Sequence, residues 1–259
     1  MVNVSVVQMD LIWHDRKANH QKAARLLEAD PPVPGSLVVL PEAFPVGFTM
    51  KVDEVADRDN QTGQFLIDLA KRYAVTVVGG NIIKPDDLGR NIALVVGPDG
   101  RVLTTYEKIH PFSFAGENRY FQAGDRVVWF DCGGGKISPM ICYDLRFPEV
   151  FRLAVCGGAE VIVVIANWPT ARVSHWLALL TARAIENQAY VIGCNRCGSD
   201  PYVAYPGRSV VIDPQGKVLV DAGDCEGVIQ QSLDLKNLRE YRESFPALRD
   251  IRFMNETNA

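Results

Sequence analysis

No stretch of the 259-residue chain is apolar for the roughly 20 residues that a membrane helix needs. The opening MVNVSVVQMDL has no basic segment, no long apolar core and no small-residue cleavage site, so it does not read as a signal peptide but as a first strand. A basic excess is missing as well: 27 Lys and Arg face 31 Asp and Glu, a net charge of −4, which leaves nucleic-acid binding without electrostatic support. Metal-ligand spacing is also lacking. Cys194-x-x-Cys197 has no second CxxC or histidine pair to complete a zinc site, and it ends a strand pattern where a redox pair would open a helix. His14, His20, His110 and His175 show no ligand spacing, although His110 follows Lys108 closely enough to orient a site there. The glycines at 133–135 are not followed by Lys-Ser/Thr and read as a turn, not a phosphate loop. No metal and no organic cofactor is expected. The six cysteines (Cys132, Cys142, Cys156, Cys194, Cys197 and Cys225) are expected to be reduced thiols of a cytoplasmic protein.

What the chain does have is a series of short Val/Ile-rich runs separated by helical patterns. Strands are expected at 2–8, 36–42, 75–83, 136–142, 160–167 and 190–196. Hairpins are expected at 90–108 and 208–222, around Pro-Asp-Gly and Asp-Pro-x-Gly turns. Helices are expected at 15–29, at 62–74 with Thr62 as a cap, at 147–158 with Pro148 in the first turn, and at 174–189. A charged helix or arm occupies about 235–259. Strands alternating with helices, plus hairpins, imply an α/β fold with a mixed sheet. No linker and no clear internal repeat appears, so residues 1–259 are read as one domain.

Three polar residues stand at strand ends. Cys142 closes KISPMIC, where a following helix start would favour the thiolate. Glu42 follows the apolar run in VVLPEAF, a costly place for an unpaired carboxylate, and Lys108 ends a hairpin strand in TTYEKIHPF. Singly, each has an ordinary reading as a buried thiol, a surface acid or a solvated cation. Together they are the parts of an acyl-transfer site.

LPEAF, YEKIHPF and ICYDLRFPE, in this order, resemble the glutamate, lysine and nucleophile motifs of the nitrilase superfamily of carbon–nitrogen hydrolases. The likeness runs from the first strand to about residue 250. It implies a four-layer αββα sandwich with two facing mixed sheets, paired through helices into a homodimer or larger assembly. It implies Cys142 as nucleophile, Glu42 as general base and acid, Lys108 and the Tyr143 backbone N–H as oxyanion donors, and Glu117 as a second glutamate positioning Lys108. The run NWPTARVSHWLALLTARAIENQAYVIGCNRCGSD, with LREYRESFPALRD, is similar to the omega-amidase branch, which hydrolyses short ω-amides of α-keto diacids such as 2-oxoglutaramate or 2-oxosuccinamate to the diacid and ammonia. Arg146 is either a fork for the substrate carboxylate or a partner of Asp144 or Glu149. Asn167 and Trp168 are expected in the pocket wall, and Phe44 and Phe114 are either apolar walls or core. A nitrilase or another short-chain amidase of the superfamily is the alternative within catalysis. Outside it stand a non-catalytic scaffold member and a thiol redox protein.

Overall fold

The computed structural model describes residues 1–252. The first half runs β1 (Val2–Gln8), α1 (Arg16–Ala29), β2 (Leu37–Val39), α2 (Val52–Val55), α3 (Gln61–Tyr73), β3 (Thr76–Ile83), β4 (Arg90–Val96) and β5 (Val102–Glu107). The second runs β6 (Phe130–Cys132), β7 (Gly135–Ile141), α4 (Pro148–Cys156), β8 (Val161–Ala166), α5 (Val173–Asn187), β9 (Tyr190–Asn195), β10 (Cys197–Ser199), β11 (Ala204–Pro206), β12 (Val210–Ile212), β13 (Val218–Asp221), β14 (Gly227–Leu233) and α6 (Leu235–Ser244). The part of the expected C-terminal arm beyond residue 252 lies outside the described residues.

Two six-stranded mixed sheets form, in the orders β14-β1-β2-β3-β4-β5 and β6-β7-β8-β9-β12-β13. Each has three parallel central strands flanked by antiparallel ones. Strand alternation decides which side chains meet where. Val4, Val6, Leu37, Val39, Val78, Ala93 and Val95 face the second sheet in one buried cluster with Ile137, Met140 and Val161. The alternate residues Val7, Val38, Val77, Leu94 and Val96 pack outward against Ala23 and Leu27 of α1 and Leu66 and Leu69 of α3. With α4 and α5 over the second sheet, the order is helix, sheet, sheet, helix, the expected four-layer sandwich. Burial of each such Val or Leu stabilises by roughly 1.5–3 kcal/mol.

Helix starts follow local chemistry. Asp15 accepts from Ala18 N at 2.9 Å, Asp234 caps α6 through Lys236 N and Asn237 N, and Pro148 occupies the first position of α4. The expected Thr62 cap is corrected. Thr62 lies inside α3, and the Asp57 carboxylate takes Gln61 N and Thr62 N, each at 2.8 Å. An acid outside the helix does the capping because Asn60, the N-cap, is in a left-handed conformation and makes no side-chain cap bond. The strand expected at 36–42 is shorter, ending at Val39, so that Pro41–Ala43 can turn into the site.

Candidate active site

The carboxyl ends of β2, β7 and β8 and the exit of β5 converge. β7 stops at Ile141, and residues 142–146 form one turn of 3₁₀ helix before α4. Cys142 has φ +45°, a left-handed conformation that a residue with a Cβ adopts at a cost of about 1–3 kcal/mol. Asp144 holds this elbow. Its buried carboxylate accepts from Ile141 N at 3.0 Å, Tyr106 Oη at 2.8 Å, His110 N at 2.9 Å and His110 Nδ1 at 2.8 Å. The turn after Glu42 is equally sharp, with Ala43 at φ +43°. β3 packs so closely here that a Cβ on Gly80 would lie 2.5 Å from Ala43 N and 2.6 Å from Glu42 Cα, which is why glycine stands there.

Glu42, Lys108 and Glu117 form one buried cluster. Lys108 Nζ donates to Glu42 Oε1 at 2.9 Å and to Glu117 Oε2 at 2.9 Å. Asn91 Nδ2 bridges the two carboxylates, at 2.8 Å from Glu42 and 3.1 Å from Glu117. Glu42 Oε2 accepts Asn167 N at 2.8 Å, and Asn167 Nδ2 donates to Glu42 O at 2.6 Å. Phe112 N also donates to Glu117. Desolvation would raise the Glu42 pKa, but the Lys108 charge and these hydrogen bonds outweigh it, and Glu42 stays below the usual carboxylate range. Burial would lower the Lys108 pKa; Glu117 and Glu42 reverse this and raise it, so Lys108 is an ammonium.

The Cys142 thiol is pushed well up by burial first and by the Glu42 charge second, with Lys108 opposing. The pull of the helix start toward the thiolate is outweighed here. The helix start contributes little beside desolvation and two carboxylates facing one ammonium, so the resting form is a thiol beside an ionised carboxylate.

Cys142 opens into a cavity of about 530 Å³. Lys108, Tyr143, Arg146, Asn167, Trp168 and Phe114 line it, and Phe112, Arg172, Tyr202 and Tyr205, which the motifs did not single out, join them. Arg146 pairs with neither Asp144 nor Glu149. It lies over the Trp168 ring at 4.9 Å, with Nη2 3.3 Å from His175 Nδ1. Asp144 is unavailable to it because its oxygens already hold the elbow. Phe44 is core and not wall: it is buried beside His20 and Phe65 on the outer face of the first sheet. Phe114 is 85% exposed at the rim. Asn167 reaches the cavity, but its amide N–H is committed to Glu42.

All six cysteines are free; Cys194 is buried with Sγ toward Val7 O and Val39 O. Among the described residues, no group of three or more His, Cys, Asp or Glu is arranged to hold a metal ion, and no helix is long and apolar enough to cross a membrane.

A thiol, a carboxylate and an ammonium gathered at the strand ends of an αββα sandwich define the class of hydrolases that work through acyl transfer at sulfur. A family model described as carbon-nitrogen hydrolase matches residues 3–243, and the chain belongs to that family. It is 36% identical to a 2-oxoglutaramate amidase of Bacillus subtilis (strain 168), over 96% of this chain and 97% of that one. It is 38% identical to the omega-amidase YafV of Escherichia coli (strain K12), over 96% of each chain. Among solved structures, XC1258 from Xanthomonas campestris, a CN-hydrolase superfamily protein with an arsenic adduct in its active site, superposes with a TM-score of 0.91 at 33% identity, over 97% of each chain.

Proposed function

We propose that this carbon–nitrogen hydrolase is an omega-amidase, releasing ammonia from the side-chain amide of a short α-keto diacid monoamide such as 2-oxoglutaramate or 2-oxosuccinamate. The observation that carries the reading is the buried Glu42–Lys108–Glu117 cluster beside Cys142, at a cavity whose aromatic wall holds the half-buried Arg146. The names of the two similar amidases support the substrate class.

Cys142 Sγ attacks the amide carbonyl, and its proton passes to Glu42 as the C–S bond forms. Lys108 and Tyr143 N–H receive the oxyanion; Tyr143 is second in its 3₁₀ turn, so its N–H has no partner within that turn. Collapse breaks the C–N bond, Glu42 returns the proton to nitrogen, and ammonia leaves. Water then attacks the thioester, giving its proton to Glu42. The C–S bond breaks, the acid is released and the thiol regains its proton. Glu117 and Asn91 hold Lys108 and Glu42 in register, and Asn167 aims Glu42. Arg146 receives the substrate carboxylate, with Trp168 and Phe114 as apolar walls.

The whole chain is read as one catalytic domain, supported by the core its two sheets share. Homodimerisation through the outer helices fits the exposed Leu153 on α4 and Ile185 on α5. Six free thiols suit a reducing cytoplasm.

The test is ammonia release by the purified protein from 2-oxoglutaramate, beside glutamine, asparagine and simple nitriles, with Cys142→Ala as control. Fast release from the keto-amide, absent in Cys142→Ala, is expected. Turnover confined to a nitrile or another amide would overturn the omega-amidase reading.

A further inference from the structure

The cavity contains two guanidinium groups with no acid to neutralise them. Among the described residues, neither Arg146 nor Arg172 closes an ion pair, whereas Arg90, Arg208 and Arg239 each do so with a nearby carboxylate. Both cavity arginines are half-buried. Asp200, the acid in the same lining, is already engaged: Oδ1 accepts Tyr202 N at 2.8 Å and Val203 N at 2.9 Å, and Oδ2 accepts the Tyr205 hydroxyl at 2.6 Å. The remaining cavity lysine, Lys51, lies 3.3 Å from Glu54.

Arg172 stands where helix electrostatics oppose it. It is the N-cap of α5, a 15-residue helix with no acid in its first turn and no side-chain cap bond. A cation there meets the positive end of the helix dipole, and Ser, Thr, Asp or Asn would be the ordinary choice. The surroundings nonetheless hold it in place. Trp168 Nε1 donates to Arg172 O at 2.7 Å, and the Arg172 guanidinium lies 5.5 Å from the Phe112 ring centroid. Arg146 lies over the same Trp168 and, at 6.0 Å, over Tyr143, which in turn packs 4.8 Å from Phe112. Linked aromatic rings therefore hold two unpaired cations in one cavity lining, Arg146 on the Trp168 indole and Arg172 on Phe112 with its carbonyl on that indole, an arrangement that an anionic ligand would relieve.

We infer that Arg172, acting with Arg146, grips the α-keto acid end of the substrate and selects a 2-oxo acid amide over its 2-amino counterpart. This rests on the amidase reading of the cavity. A carboxylate and the adjacent ketone present acceptor oxygens and no donors, which suits two guanidinium forks. A 2-amino acid amide places an ammonium where the ketone oxygen would be, beside two like charges and without a free carboxylate in the lining. Selection thus includes a repulsive element directed at the competitor.

Steady-state kinetics of the wild type, Arg172→Gln and Arg172→Lys on 2-oxoglutaramate, glutamine and pentanamide, with calorimetric binding of 2-oxopentanoate, test this. For Arg172→Gln, KM for the keto-amide is expected to rise about tenfold or more, the effect of one charge-assisted hydrogen bond, with a much smaller change in kcat. The preference for keto-amide over glutamine falls in parallel, 2-oxopentanoate binds correspondingly more weakly, and Arg172→Lys recovers part of each. Unchanged KM and Kd, or an equal fall on all three amides, would overturn the inference, since the latter marks a role in folding alone. If the wild type does not hydrolyse the keto-amide, the amidase reading fails by itself. Binding of 2-oxopentanoate, which has no scissile bond, still judges Arg172: a weaker Kd in Arg172→Gln supports its role, and an unchanged Kd refutes it.

Discussion

Cys142 keeps its proton because two carboxylates and one ammonium surround a desolvated sulfur. The base beside it is already ionised, since Lys108 and the Asn91 and Asn167 hydrogen bonds hold Glu42 below its ordinary value of 4.5. As pH falls, Glu42 therefore remains a base past 4.5, and an acid limb of kcat/KM due to this group lies below that value. Removing its charge has the opposite consequence for the thiol. In Glu42→Gln the second-largest influence raising the Cys142 pKa is gone while Lys108 remains, so the midpoint of the pH dependence of iodoacetamide alkylation is expected to move down. Hydrolysis should be lost in the same variant, because no group is left to carry the proton to nitrogen. An alkylation midpoint that stays or rises would show that Glu42 does not set the protonation of Cys142. These three residues were legible in the sequence because each stands at a strand end, Glu42 and Cys142 closing apolar runs and Lys108 closing a hairpin strand, with a group that burial penalises. Phe44 was not, because an aromatic residue just past a strand end packs equally well into core or wall. Arg172 was hidden in a polar loop, where a cation draws no notice until the cavity shows that it lacks a partner.

At the scale of elements, the nucleophile elbow is the feature that local pattern could not reveal. Residues 142–146 are too few for a helical period, and the sequence pattern leaves 143–146 unassigned between the strand at 136–142 and the helix at 147–158. The turn is specified at long range, by β5 through Tyr106 and by the following loop through His110, both meeting Asp144. Asp144→Asn replaces one acceptor oxygen with a donor amide facing donors, which leaves buried groups unsatisfied at a cost of about 1–3 kcal/mol. We expect kcat to fall by roughly tenfold or more, the same energy expressed at the nucleophile, with KM little changed and Tm lowered. Wild-type kcat together with a lowered Tm would confine Asp144 to stability. The same contrast explains which strands were legible. β1, β3, β7, β8 and β9 carry buried Val and Ile in periodic runs, whereas β6, β10 and β11 have three residues each and β14 carries Gln230, Gln231 and Ser232 at a sheet edge. Short or polar strands take their identity from the neighbour they pair with.

For the whole molecule, five strands of each sheet repeat one order, β1-β2-β3-β4-β5 and β7-β8-β9-β12-β13, with β14 and β6 as the sixth, although no internal repeat is visible in the sequence. Topology conserves the alternation of inward and outward side chains, and many different Val, Ile, Leu and Ala choices satisfy it. The repeat places helices on both outer faces, and this has a consequence for assembly. The α1 and α3 layer buries its apolar side chains against the first sheet, and Gln64 and Asp68 on α3 hydrogen-bond to each other in solvent. The α4 and α5 layer leaves Leu153 44% and Ile185 51% exposed. Covering each removes apolar area at roughly 25 cal/mol per Å², and substituting both with glutamate introduces like charges that a self-complementary interface would have to desolvate. Light scattering after size exclusion at micromolar concentration is expected to give a dimer or larger species for the wild type and a monomer for Leu153→Glu/Ile185→Glu. A monomeric wild type, or a double variant that assembles unchanged, would remove the α4 and α5 face as the seat of the interface. Both residues lie outside the cavity lining, so ammonia release by the dissociated variant would also show whether one copy of the chain completes its own site.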